Sequence, residues 1–326
     1  MSEAMFDLVS FGRRSTGRRG RLSPAQIEQI ARTVRRAPEA VVKVLPKGAT
    51  NAKAVRAHLD YIGRKGELEL ETDDGSRLQG EEVGTQLAED WDLDIAEERR
   101  QANLSASRGR APPKIAHKLT FSMPPGTSPT GVLEAVRNFT REEFALKHRY
   151  TFVLHTDEPH PHVHVVVKAM GEHGQRLNIH KATLREWRSK FASHLRQQGI
   201  EANATSRYLR GKTKLGKSDA IYRAALRGES RHMRERAERV AAELRSGKLR
   251  VEPGKSKIVQ TRKDVEAGWR AVADILVIEG HSELAIDVWR FVDRMRPPKT
   301  EKELMAEAVL VATKDRPPRS REERVR

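Results

Sequence analysis

Apolar positions follow two different periods along this chain. Between residues 40 and 200, runs of strand length alternate with stretches of helical spacing. AVVKVL at 40–45 reads as a strand, closed by Pro46 and Gly48. Thr50 or Asn51 then caps a helix to Ile62 that stops at Gly63, with Val55, Leu59 and Ile62 on one face. Residues 67–78 form a hairpin about Asp74-Gly75. A polar helix over 81–107 carries Trp91, and its Asp90, Asp92 and Asp94 either face water or supply outer contacts to a site. A strand at 115–122 precedes a helix at 128–144 with Val132, Leu133, Val136, Phe139 and Phe144 as its apolar stripe. In RYTFVLHTDEPHPHVHVVVK, residues 149–168, two strands meet at a connection broken by Pro159 and Pro161. The first alternates, and the second runs apolar from Val163 to Val167, so it is buried on both faces. A helix at 182–198 carries Leu184, Trp187, Phe191 and Leu195, and Gly199 closes it. This order predicts an α+β fold, a mostly antiparallel central sheet with helices packed on it and grouped on one face.

Past Asn203 the strand signal ends. A basic, irregular segment at 205–217 leads to a long helix over 218–246, interrupted by Gly228. Helices at 261–279, 282–295 and 300–313 follow. Trp269, Val272, Ile275, Leu276, Ala285, Val288, Trp289 and Val292 form their common core. The organisation expected is a basic flexible arm at 1–38, with a short helix at 24–36; an α+β domain at 39–210; an all-α C-terminal region at 211–315; and a disordered basic tail at 316–326.

Charge changes this picture by naming a class of partner. A net charge of +17 and a pI near 10.2 favour an extended polyanion such as nucleic acid. Aromatic residues at 5% argue against an extensive base-stacking platform. With no cysteine, disulfides, thiolate metal sites and cysteine nucleophiles are excluded, which fits a cytoplasmic protein. The N-terminal stretch lacks the apolar core of a signal peptide, and no apolar run suits membrane insertion.

The chemistry concentrates in the strand pair. Four of the twelve histidines fall in ten residues: His155, His160, His162 and His164. Positions i and i+2 of a strand share a face, so His162 and His164 project together and His155 closes on them from the neighbouring strand. Three neutral imidazoles on rigid strands make one side of a divalent-metal site and leave other positions open, as catalysis requires. His160, in the turn, is a substrate contact or merely exposed. Tyr61 lies about 200° from Leu59 around its helix, off the apolar stripe. Tyr150 reads as packing, and Tyr208 and Tyr222 are the other rivals. A histidine triad, an off-face tyrosine and a basic surface are together explained by phosphodiester transfer. In that chemistry the tyrosine attacks and stays joined to phosphate. Water activated by the same metal would give hydrolysis instead. Lys168, Arg176 and Lys181 are candidates to hold backbone phosphates.

LHTDEPHPHVHVVVK, AVRAHLDYIGRKG, HKLTFSMPPGTSP and LNIHKATLREWRSKFASHLRQQGIEANATSR together resemble the motifs of the plasmid-mobilisation relaxases of the HUH endonuclease superfamily, especially the type related to the T-DNA border endonuclease. The resemblance covers residues 40–210. It implies that Tyr61 is the nucleophile, that His155, His162 and His164 bind the metal, and that Ser122 contacts DNA near the nick. Asp157 falls where these motifs hold an acid that orients a histidine, or it is a turn residue. The activity implied is nicking of one strand at an origin of transfer, with a covalent 5′-phosphotyrosine intermediate and later rejoining. The ion implied is Mg²⁺ or Mn²⁺, though three histidines also accept Zn²⁺ or Ni²⁺. Single-stranded DNA is the partner, with accessory DNA-binding proteins, a coupling protein and type IV secretion machinery as further partners and export with the bound DNA. The alternatives are an HUH replication initiator or transposase, which usually place the tyrosine after the histidines, and a non-enzymatic metal-containing DNA-binding protein.

Overall fold

The computed structural model describes residues 21–45, 50–98, 114–213, 224, 227–247 and 249–314. These divide into two units, one of residues 28–204 and one of residues 21–27 with 205–314. The first helix, α1 (Pro24–Val34), runs through the boundary in sequence.

In the first unit β1 (Val41–Val44), β2 (Leu70–Thr72), β3 (Arg77–Leu78), β4 (Ala116–Ser122), β5 (Tyr150–His155) and β6 (His162–Lys168) form one sheet in the order β1-β4-β6-β5-β2-β3. Every neighbouring pair is antiparallel. The expected hairpin at 67–78 is thus an edge of this sheet, with Glu71 opposite Phe152. Central β6 takes its register from both sides, where His162 lies opposite Ser122 and His155, and His164 opposite Thr120 and Val153.

Alternation along these strands sorts side chains to two faces. Val163, Val165 and Val167 point with Leu119, Phe121 and Phe152 into one core, covered by α4 (Pro129–Phe144) and α5 (Lys181–Gln197). There Phe139 meets Phe121, Phe144 and Trp187 at ring distances of 4.8, 6.0 and 6.1 Å. On the other face Val153, Val166 and Ala116 pack beneath α2 (Ala52–Ile62) and α3 (Val83–Asp90). Helices therefore cover both faces, not one. The continuous apolar run of β6 is the cause, because each parity of its residues needs its own cover.

Local chemistry starts the helices where the sequence expects. Asn51 accepts the Ala54 N–H at 2.7 Å and caps α2, while Ser128 caps α4 with Pro129 beside it. The expected helix over 81–107 is broken. α3 ends at Asp90, Trp91 is fully buried, Asp92 takes φ 49°, and helix resumes at 93–98. Residues 99–107 lie outside the described part. Asp90 pairs with Arg149, and Asp94 with Arg56 at 2.6 Å, so these acids serve packing rather than a site.

The second unit contains α6 (Arg231–Arg245), α7 (Lys255–Ile278), α8 (Ser282–Asp293) and α9 (Glu301–Lys314), after a 3₁₀ turn at Arg207–Arg210. Trp269 lies edge-on to Phe291 at 5.4 Å, and its Nε1–H donates to Leu209 O at 2.8 Å. Val272, Ile275, Leu276, Ala285, Val288 and Val292 are buried as expected, but Trp289 is exposed and Phe291 takes its place. α7 starts at Lys255, earlier than the spacing predicts. The first part of the helix expected at 218–246, the arm up to residue 20 and the tail at 316–326 fall outside the described residues. Ile30, Thr33 and Val34 of α1 are buried. Among the described residues no helix is long and apolar enough to cross a membrane.

Candidate metal centre and nucleophile

The α2 face of the sheet carries a row of side chains set by register: Val41, Ser122, His162 and His155, each opposite the next on neighbouring strands. The adjoining row is Lys43, Thr120, His164 and Val153. His155, His162 and His164 meet where these rows join, with ring centroids 4.7–5.2 Å apart. One ligand atom from each lies within 4.8 Å of the others. Two nitrogens bound about 2.1 Å from one ion sit at most about 4.2 Å apart, so a small ring rotation closes the set.

Main-chain carbonyls orient two of these rings. His155 Nε2 is 2.7 Å from Ile62 O, and a carbonyl only accepts, so Nε2 carries the proton and Nδ1 keeps the lone pair. His162 Nδ1 is 3.3 Å from His160 O, which likewise frees Nε2. The third ring, His164, has a buried Nδ1 with no hydrogen-bond partner among the described residues. Burial pushes His164 down to about 3, helped by the charges of His155 and His162. Desolvation lowers His155 as well. Three converging imidazoles, two of them lowered by burial, and an orphaned buried nitrogen are a donor set that fits a divalent cation.

Tyr61 is linked to this group through His58 and Arg64. Its neighbours on α2, Leu59 and Ile62, are fully buried, whereas Tyr61 is 61% exposed. The His58 ring stacks on it at 6.3 Å and also lies 6.3 Å from His164. Burial pushes His58 down to about 4, with Lys118 adding to the effect. Past Gly63 the chain reverses through three consecutive left-handed residues, Arg64, Lys65 and Gly66, at φ 53°, 54° and 92°. A Cβ at residue 66 would lie 2.2 Å from Gly80 C, so only glycine fits. This turn brings Arg64 over Tyr61, its Cζ 5.6 Å from the ring centroid. Arg64 also reaches His155 Nδ1 at 3.4 Å and hydrogen-bonds Asp157. Asp157 Oδ1 is 3.9 Å from His155 Nδ1.

Not all the residues singled out in the sequence converge here. Ser122 shares the triad's row. His160 sits on the rim, paired with Glu158 at 3.0 Å, and Glu158, His160 and His162 form a second group able to hold a cation. Lys168 lies on the triad's face but six residues along β6 from His162, about 20 Å away at strand rise. Arg176 donates to Lys114 O beside that same far end, where Ala116 opposes Lys168. Lys181 opens α5, on the opposite face. The three basic candidates are therefore not brought together with the triad. Arg64, Lys118 and Lys43 take that place, and spacing gave no signal for them, because Lys118 and Lys43 need the register of β4 and β1 and Arg64 needs the turn after Gly63. Tyr150 is buried in the core, Tyr208 belongs to the other unit, and Tyr222 lies outside the described residues.

Comparison with known proteins points to the same family. The relaxase family described as the MobA/VirD2-like nuclease domain matches residues 61–200, from Tyr61 through the triad to the end of α5. Residues 61–200 are thus similar to a relaxase nuclease domain, the HUH type that the sequence motifs resemble. The T-DNA border endonuclease VirD2 of Rhizobium radiobacter is 27% identical over 195 residues, 53% of this chain and 43% of the relative. VirD2 of Agrobacterium fabrum strain C58 is 26% identical over 221 residues, 60% of this chain and 46% of the relative. VirD2 of Rhizobium rhizogenes is 26% identical over 198 residues, 53% and 42% respectively. The chain thus spans less than half the length of these relatives.

Proposed function

We propose that this chain is a DNA relaxase that nicks one strand at an origin of transfer and attaches itself to the 5′ end through Tyr61. The observation carrying this reading is an exposed tyrosine joined through His58 and Arg64 to a histidine triad, within residues that match a relaxase domain. When bound, a divalent ion such as Mg²⁺ or Mn²⁺ supplies a Lewis acid at a non-bridging phosphate oxygen. His155, His162 and His164 would hold it, the first two with tautomers set by main-chain carbonyls. Tyr61 attacks in line: its Oη–P bond forms as the P–O3′ bond breaks. The phenolic proton leaves, and the departing 3′ oxygen gains one. The aryl phosphate keeps the count of ester bonds, so a 3′-hydroxyl reverses the step and rejoins the strand without ATP. Ser122, on the triad's row, contacts the strand near the nick, and His160 and Asp157 line the rim. Conjugative transfer is the setting, with accessory DNA-binding proteins, a coupling protein and type IV secretion machinery as partners and export of the protein with its DNA.

The test uses single-stranded oligonucleotides tiling the DNA beside the gene, incubated with Mg²⁺ or Mn²⁺ and run on a denaturing gel. Wild type should give a covalent protein–DNA band and Tyr61→Phe none. Free cleavage products without an adduct would replace this reading with hydrolysis. An adduct with Tyr61→Phe would remove Tyr61 from the mechanism. No reaction on tiles that bind would favour a non-enzymatic DNA-binding protein.

A further inference from the structure

Arg64 touches three parts of the site at once: the Tyr61 ring, His155 Nδ1 and Asp157. Its place comes from the backbone. Arg64 takes φ 53°, where an L-residue with a long side chain is strained, and its N–H returns to Tyr61 O at 3.3 Å. A helix continued past Ile62 would send this side chain elsewhere. The left-handed turn instead holds a guanidinium between the nucleophile and the triad.

The contact with His155 has a chemical consequence. Nε2 of that ring is committed to Ile62 O, so Nδ1 is its only lone pair. Arg64 Nη2 is 3.4 Å from that lone pair. A divalent cation on Nδ1 and a guanidinium donating to Nδ1 exclude each other, by occupancy and by charge. Asp157 gives Arg64 a second anchor that does not involve the ring.

We propose that Arg64 is a phosphate-binding residue of the nucleophile, and that its guanidinium exchanges with the cation at His155 Nδ1. With the cation in place, Arg64 stays tethered to Asp157 and presents its remaining donors beside Tyr61. There a planar fork of N–H groups fits the non-bridging oxygens of a phosphodiester. Charge is then supplied to the phosphate from two sides, by the triad's ion and by Arg64. The phosphate-binding half rests on the reading of Tyr61 as nucleophile; the exchange with the cation does not.

The two halves have effects of opposite sign, which separates them from a merely structural role. Mn²⁺ binding is measured by calorimetry on the full chain, without DNA, for wild type, Arg64→Gln and Arg64→Met. Removing the competing charge should tighten Mn²⁺ binding about tenfold. At saturating Mn²⁺, adduct formation on the cognate oligonucleotide should slow about 100-fold, the cost typical of losing one donor to a developing anion. Arg64→Lys, which keeps the charge without the fork, should bind Mn²⁺ as wild type does and recover part of the rate. A residue that only shapes the turn would weaken Mn²⁺ binding and rate together, and that result overturns the proposal. So does unchanged Mn²⁺ affinity in both charge-free variants, or an adduct formed at the wild-type rate. Arg64→Met keeps the packing on Tyr61, so it carries the test if Arg64→Gln does not fold. Should wild type form no adduct, the relaxase reading fails, and the calorimetry alone still decides whether Arg64 competes with the cation.

Discussion

The two faces of strand β6 are built from adjacent residues and do opposite things. Val163, Val165 and Val167 are fully buried under α4 and α5, in a core whose aromatic rings interlock around Phe139. His162 and His164 alternate with them and face α2, where His164 keeps a buried nitrogen without a partner among the described residues. An unpaired polar atom out of water costs stability, and an interlocked aromatic cluster provides it. The sheet therefore anchors itself on one face and holds its strained chemistry on the other. Rigid strands and two main-chain carbonyls hold the three imidazoles in place.

The sharpest way to test that division is to damage each face in turn. Phe139→Ala should cost about 3–5 kcal/mol of unfolding free energy, read by denaturant melts, with Mn²⁺ affinity of the folded protein kept. Next comes His164→Ala. It should lower Mn²⁺ affinity by more than the roughly 10–100-fold that outer-shell partners cost, while leaving unfolding free energy within about 1 kcal/mol of wild type. If His164→Ala destabilised the fold as Phe139→Ala does, the two faces would not be divided in this way. Arg137 sits on the anchoring side and holds Glu71 of β2 through two hydrogen bonds of 2.6 Å. Arg137→Ala should cost about 1.5–3 kcal/mol, the range for hydrogen bonds to a charged group, with metal affinity unchanged.

Acid should act on both faces. Burial pushes His117, on the anchoring side, down to about 4 and His164 down to about 3, from an ordinary 6.5. The unfolded chain then binds more protons than the fold between those values, so stability falls as pH drops below 6.5 and is level above it. Thermal melts across that range should show the decline, and His117→Gln should remove part of it. A Tm that rose on acidification would contradict the burial of both rings. The smallest expected effect is electrostatic. Lys118 faces the triad's side of β4 and has no carboxylate partner among the described residues, and burial lowers its pKa. Lys118→Gln should reduce the slope of log K against log salt for single-stranded DNA by about 0.7, the loss of one phosphate contact. Lys168→Gln, at the far end of β6, should leave cleavage at the site unchanged.

Much of the first unit was legible because its signals are local. Asn51 and Ser128 announce helix starts, Asp74-Gly75 a hairpin, and the i, i+2 spacing of His162 and His164 a shared face. The break at Trp91–Asp92 was not legible, since a polar helical pattern continues through it and only the burial of Trp91 stops the helix. Nor was the exposure of Trp289, because a tryptophan beside an apolar stripe reads as part of it. The basic candidates Lys168 and Arg176 were chosen for closeness in sequence to the histidines, but a strand of seven residues carries its far end well away from its near end.

By itself the sequence determined which side chains exist to do chemistry and which strand parity they share, because strand period and helix capping act over a few residues. Only the tertiary structure decided what joins them. Antiparallel register laid Ser122, Thr120 and Lys43 beside the triad, and the sheet's second face received α2 rather than solvent. A left-handed turn after Gly63 then carried Arg64 from one helix end to His155, 91 residues away in sequence. Contacts at that separation depend on which strands pair and how the chain reverses, and no local pattern encodes either.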